Sequence, residues 1–414
     1  MKNVTIESVS AREIRDSRGN PTLAVRVTAG GQTGEFAVPS GASTGTYEAR
    51  ELRDGDTTYA GGKGVYRAIA NVNEIIAPLL VGQKVTDQKN IDALLIARDG
   101  TSDKSVLGAN AMIGASIAAA KAAAKTQGVQ VFEYLRSLAS VKPSRRFPYL
   151  YLNLINGGKH AKSRLAFQEY HLVPVVDSVQ EALEIGVSVQ TALEVELKSR
   201  LGAAAITVGD EGGFALDVDS VRRPLELMAK VVSQLHLENK VRYALDVAAS
   251  SFFDGTGYAV DGKKLTPDEF LIFYSALVKD FNLLSVEDPF AEEDFGRFAR
   301  LRVQNPEVMV VGDDLTVTNT GRLSRAIEQK SINGLIIKPN QIGTLSETVA
   351  TIALARENNI HCIVSHRSGE TMDDFISDLA VAFGCFGIKA GAPRPAERVA
   401  KYERLCAIER LDVV

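Results

Sequence analysis

Between Val241 and Gly391 the chain repeats one pattern: a short apolar run stops abruptly at a polar residue and is followed by a stretch with helical spacing. The runs are VRYALDVAAS, NLLSVEDP, VMVVGDD, INGLIIKPN, IHCIVSHRS and FGIKAG. Strands covered on both faces read as continuous apolar segments, and a helix after each strand makes the connections parallel crossovers. Repeated βα units of this number admit a parallel barrel or a doubly wound sheet. The GxGxxG fingerprint of nucleotide-binding doubly wound sheets is absent, which favours the barrel.

The N-terminal third has another rhythm. From Val4 to Val38 apolar residues tend to alternate, broken by Asn20-Pro21 and Gly30-Gly31, which predicts a short antiparallel meander. The Ala-rich stretch from Ala109 to Gly128 predicts a closely packed buried helix that ends at its glycine. The expected division is an α+β domain over residues 1–138 and a barrel over 139–414, with PSRRFP at Pro143–Pro148 as connector. With 414 residues, 45% of them hydrophobic, the chain can bury both cores.

A net charge of -4 with interspersed charges offers no basic surface to a nucleic acid or an anionic membrane. Three cysteines without CxxC spacing read as buried thiols of a reducing compartment. The first residues lack the apolar segment of a secretion signal and no run of ~20 apolar residues occurs, so the expected location is the cytoplasm.

The chemistry concentrates where the apolar runs stop: Asp246, Glu287, Asp313, Lys338, His366 and Lys389. In a barrel the C-terminal strand ends converge on one mouth, so these residues would share a cavity. Any one of them alone is a solvated loop start, and Asp313-Asp314 alone would serve as a helix cap. Asp246, Glu287 and Asp313 together would repel one another unless a cation lay between them, and carboxylate oxygens suit Mg²⁺. Lys338 and Lys389 offer either a desolvated amine base or two clamps for an anionic substrate. His366, Arg367 and Ser368 in SHRSGET suit a phosphate. VGDEGGF presents Glu211 on a tight turn, and VPSGASTG, which lacks the GK[ST] of a P-loop, is compatible with a lid.

In this order DSRGNPT, VPSGASTGTYEARELRDGD, LGANA, INGGKH, QEY, VGDEGGF, DVAAS, VEDPF, VGDDLTVTN, IKPNQIGTL, SHRSGET and AERVAKYERL resemble the enolase family over nearly the whole chain. The resemblance implies an enolase-type (β/α)8 barrel, with one early strand antiparallel to the rest, capped by a smaller N-terminal α+β domain. It implies a Mg²⁺-dependent lyase that dehydrates 2-phospho-D-glycerate, a small phosphorylated carboxylate, to phosphoenolpyruvate. Asp246, Glu287 and Asp313 match ligands of one Mg²⁺, and Ser43 matches a ligand of a second. Lys338 matches the base that takes the C2 proton; Glu211, with Glu169 beside it, matches the acid that helps the C3 hydroxyl leave. His160, Gln168, Arg367, Ser368 and Lys389 match substrate-binding positions, and His366 lies in the same wall. A homodimer or a multiple of dimers is implied as well.

Several positions depart from the family pattern. Lys162, Ser163 and Arg164 make one loop basic; AASSF carries Ser251 in place of an acid; KAGAP carries Ala390 in place of threonine; Pro395-Ala396 replaces an arginine-serine pair, with Arg394 one position early. Together they add cationic character and remove an anion around the entrance, and drift in freely varying surface loops is the first explanation. A relative such as carboxyphosphonoenolpyruvate synthase, which joins 2-phosphoglycerate to a nucleotide-activated phosphonoformate, would use such charge on the nucleotide phosphate. The third reading, a non-catalytic scaffold, has no reason to keep acid, base and metal residues together.

Overall fold

The computed structural model describes residues 4–42, 45–141, 144, 146–161, 163–202 and 206–411. Ser43, Lys162 and part of the Pro143–Pro148 connector lie outside the described residues.

The predicted meander is three antiparallel strands, β1 (Ile6–Arg15), β2 (Pro21–Ala29) and β3 (Gln32–Ala37), with β2 in the centre. The Ala-rich segment is helix α1 (Ala109–Gln127), which ends at Gly128 with φ 68. Its small residues let it sit almost on the sheet. A Cβ at Gly34 would come within 2.1 Å of the Ala118 carbonyl, and one at Gly114 within 2.4 Å of Val25. Contacts this close are available only to glycine, so both positions follow from the packing.

The rest of the chain closes into an eight-stranded barrel. Its first strand is β4 (Tyr149–Asn156) and its second β5 (Glu169–Pro174), followed by two helices, α2 (Val179–Leu201) and α3 (Arg223–Gln234). The six predicted units come next, each strand with a helix: β6 (Val241–Asp246) and α4 (Pro267–Phe281), β7 (Leu283–Glu287) and α5 (Phe295–Gln304), β8 (Met309–Gly312) and α6 (Thr320–Glu328). The last three pairs are β9 (Gly334–Ile337) and α7 (Leu345–Glu357), β10 (His361–Ser365) and α8 (Phe375–Ala382), and β11 (Gly387–Lys389) and α9 (Ala396–Glu409). Strand β5 is antiparallel to both neighbours, and β11 pairs in parallel with β4 to close the ring.

The two-residue period of the strands stacks the interior in floors. Tyr151, Val173, Ala244, Met309, Val311, Ile336 and Ile363 form an apolar cluster of their own inside the barrel. Two residues along the same inward faces, Ala244 gives way to Asp246, Val311 to Asp313, Ile336 to Lys338 and Ile363 to Ser365. Among the described residues no helix is long and apolar enough to cross a membrane, and all three cysteines are free and buried.

Candidate functional site

The polar floor lies at the strand ends that the parallel topology brings together. His160, Gln168, Glu169, Glu211, Asp246, Asp313, Lys338, His366, Arg367, Ser368 and Lys389 all line one cavity. Glu287 stands just behind Lys389 instead of on the cavity wall, and Ser43 lies outside the described residues. Asp246, Glu287 and Asp313 do not cap the following helices, a role taken by Asp294 for α5 and Asn319 for α6.

Two lysines carry the positive charge between the acids. Lys389 Nζ lies 2.7 Å from Glu169, 2.9 Å from Asp246 and 3.0 Å from Glu287. Lys338 pairs with Asp313, whose other oxygen accepts from Gln341 Nε2 at 2.9 Å. Desolvation acts on both lysines in the direction the sequence suggests, and the carboxylates that face them oppose it. Burial is the largest single influence on Lys338 and favours its neutral amine, but Asp313 and Glu287 together raise the pKa; Lys389, also opposed by burial, is raised in the same sense by Asp246, Glu169 and Glu287.

The lysines do not neutralise the floor. Asp288 and Asp314 join Asp313 closely enough for one oxygen of each to share an ion. Asp288 is fixed there by the backbone N–H groups of Asp313 and Asp314, at 2.9 and 2.7 Å. Burial, then neighbouring carboxylates, raise Glu287 and Asp288 well above the usual range, and burial with Asp313 pushes Asp314 up to about 8. Carboxyl groups that burial and one another drive toward the protonated form are oxygen donors that a hard divalent cation would hold ionised, so the floor fits such an ion.

Across the ring, Glu169 and Glu211 share His160: its Nδ1 lies 3.1 Å from Glu169 and 3.4 Å from Glu211. His171 Nε2 stands 2.8 Å from the other oxygen of Glu169, and Asn153 donates to Glu211 at 2.8 Å. Burial and Glu169 favour the protonated form of Glu211, whereas the imidazoles of His366 and His160, when charged, outweigh both and bring it to about 2. On the third wall the Arg367 guanidinium is held by Glu48 at 2.9 Å and by Asn340 at 3.0 Å, and Ser368 Oγ accepts from the Ala42 N–H at 2.7 Å. A Cβ at Gly41 would come within 2.1 Å of that guanidinium, so the glycine of VPSGASTG makes room for Arg367.

Sequence reasoning passed over Glu48, Asn153, His171, Asp288, Gln341 and Arg398, and weighed Asp314 only as part of a helix cap. Asn153 and His171 sit on inward faces of β4 and β5 and were open to the alternation argument once those strands were known. Asp288 and Asp314 directly follow Glu287 and Asp313 in the runs that mark the mouth and were open to the same argument, whereas Glu48, Gln341 and Arg398 lack a local signal.

The departures need a correction. Ala390 is fully buried, and Pro395 packs behind the Glu211 turn, where a Cβ on Gly212 would meet it at 2.4 Å. Neither is at an entrance. Arg394 pairs with Glu194, Ser251 is exposed, and Arg164 is committed to Asp217, at 2.7 Å, and to Asp219. Lys162 lies outside the described residues. No observation favours a nucleotide-activated second substrate.

Comparison with known proteins matches residues 6–135 to the family model described as enolase, N-terminal domain, and residues 144–412 to that described as enolase, C-terminal TIM barrel domain. The enolase of Methanocaldococcus jannaschii is 47% identical over 407 residues, covering 98% of this chain and 95% of that protein. The enolase of Methanopyrus kandleri is 48% identical over 412 residues and that of Mastigamoeba balamuthi 45% over 420, each with 98% of this chain and 95% of the relative covered.

Proposed function

The chain belongs to the enolase family, and from that premise we propose how its barrel mouth works. It is a lyase that dehydrates 2-phospho-D-glycerate to phosphoenolpyruvate. The observation that carries the assignment of roles is topological. Lys338 follows β9 and Glu169 opens β5, four strands apart in a ring of eight, so the amine and the carboxyl pair stand on opposite walls. Base and acid on opposite walls suit removal of a proton and a hydroxyl from opposite faces of a substrate lying between them.

Lys338 takes the C2 proton. Asp313 keeps it protonated in the present arrangement; once Asp313 is engaged elsewhere, burial, Arg367 and Lys389 all favour the neutral amine. Glu211, with Glu169 beside it, gives a proton to the departing C3 hydroxyl. Arg367 and Ser368 receive the phosphate, Arg367 exchanging Glu48 for it, while His160, Gln168, His366 and Lys389 orient the rest of the substrate. Asp246, Glu287 and Asp313 would hold one Mg²⁺ and Ser43 would contribute to a second; when bound, these ions supply positive charge to the substrate carboxylate as the adjacent proton leaves.

The same reading makes residues 1–138 the cap and 139–414 the catalytic barrel, in a cytoplasmic homodimer or multiple of dimers. Its test is formation of phosphoenolpyruvate from 2-phosphoglycerate, followed by absorbance with and without Mg²⁺. Turnover only with the metal is expected. Absence of turnover at any Mg²⁺ concentration would overturn the reading.

A further inference from the structure

Arg398 is a fully buried arginine, with 0% of its surface exposed, on helix α9 behind the Glu211 turn. Burying a guanidinium is costly unless its donors are matched, and here both terminal nitrogens are matched to the loops that carry the acid, while Nε, 3.8 Å from Glu397, makes no hydrogen bond. Nη2 donates to the carbonyl of Asp210 at 3.0 Å and of Ser368 at 2.7 Å; Nη1 donates to the carbonyl of Arg367 at 2.7 Å. Nη1 also faces His366 Nδ1 within hydrogen-bond distance. The fold leaves room for this arm: a Cβ at Gly391, whose φ is +91, would come within 2.9 Å of Arg398 Cδ and 2.8 Å of the Glu211 carbonyl.

A guanidinium keeps its protons at any working pH and has no acceptor to offer. The ring nitrogen it faces must therefore accept, and in a neutral imidazole that leaves the proton on the other nitrogen. The other nitrogen, Nε2, lies 3.3 Å from Glu211 Oε2. We propose that Arg398 is a positioning residue that fixes His366 as the neutral Nε2–H tautomer, so that this ring offers Glu211 a donor and never a proton-accepting lone pair.

The groups facing the ring agree. Burial, and after it Arg398, hold His366 below its ordinary pKa against the opposing pull of Glu211 and Glu169. A neutral His366 also removes one of the two imidazole charges that otherwise bring Glu211 to about 2, and a residue that must deliver a proton benefits from that removal. Through the Asp210 carbonyl the same guanidinium fixes the backbone just ahead of Glu211. A single arm thus sets both the placement of the acid and the polarity of its neighbour.

The proposal rests on the reading of this mouth as the active site, but its test reads the ring alone. Full-length protein with Mg²⁺ is labelled with ¹⁵N-histidine, and the His366 signals are assigned by their loss in His366→Gln. The expected spectrum between about pH 6 and 8 shows Nδ1 unprotonated and Nε2 protonated. A protonated Nδ1, alone or with Nε2, would overturn the proposal with no variant of Arg398 needed. In Arg398→Met the single tautomer should be lost and kcat should fall by about 10- to 100-fold with KM within about 3-fold. Retention of a pure Nε2–H ring or of wild-type kcat in that variant would equally overturn it. Because no substrate enters the ring measurement, its outcome stays separate from that of the turnover assay.

Discussion

Two floors of the same barrel, one pleat apart, do opposite things with the same backbone. The lower floor, with Val311, Ile336 and Ile363, is apolar and closed, and its side chains touch one another. The upper floor, with Asp313, Lys338 and Lys389, is charged, and its side chains compete for one another's charge. The lower floor is what the hydrophobic effect builds without instruction. The upper floor gathers buried like charges that raise one another's pKa, a cost accepted where chemistry requires it. Stability and reactivity are thereby separated by two residues along a strand.

The strongest way to break this comparison is to cut into the lower floor. Ile336→Ala removes a fully buried side chain and should destabilise the protein by about 2–5 kcal/mol, measured by denaturant unfolding, while Mg²⁺ affinity by calorimetry stays at the wild-type value. A comparable loss of metal affinity would mean that the floors are not separable.

Asp246→Ala cuts the upper floor and should do the reverse. Lys389 keeps Glu169 and Glu287, so unfolding of the metal-free protein should change little. Metal affinity should fall by about 10- to 100-fold. The stabilisation of about 2.7 kcal/mol expected for the wild type at a Mg²⁺ concentration near 100 times its Kd should shrink accordingly, read as the difference in unfolding with and without the metal.

The smallest effect is expected at Arg164, which is exposed and already paired with Asp217 and Asp219. Arg164→Ser should leave turnover of 2-phosphoglycerate within about 2-fold at low and high ionic strength, as exposed pairs contribute little. A salt-dependent loss would show that the site extends onto the surface.

What the sequence could disclose follows the same division. Strands β6 to β11 were legible because each apolar run ends at the mouth in a polar residue. Strand β5 escaped that argument because it runs the other way: Glu169, its residue at the mouth, comes first, so no run terminates in it. The antiparallel strand was expected only from the family resemblance. Arg398 was hidden because AERVAKYERL has the charge density of a solvated helix, and nothing local says that one of its arginines points inward. Glu48 was hidden for the same reason in the charged segment YEARELRD. Ala390 and Pro395 were assigned to an entrance because sequence distance from SHRSGET says nothing about which side of a turn a residue packs on. Pairwise charge in a closed site depends on which groups face each other, and composition cannot supply that.

The central claim is that Lys338 and Glu211 act from opposite walls on successive steps, and it is tested most directly by exchange of the C2 hydrogen. Proton NMR of 2-phosphoglycerate in deuterated buffer with Mg²⁺ reports the base step without product formation. Lys338→Ala should reduce exchange by at least about 10²-fold, whereas Glu211→Gln should retain exchange while losing phosphoenolpyruvate formation. Exchange at the wild-type rate in Lys338→Ala would contradict the account and transfer the base to Lys389.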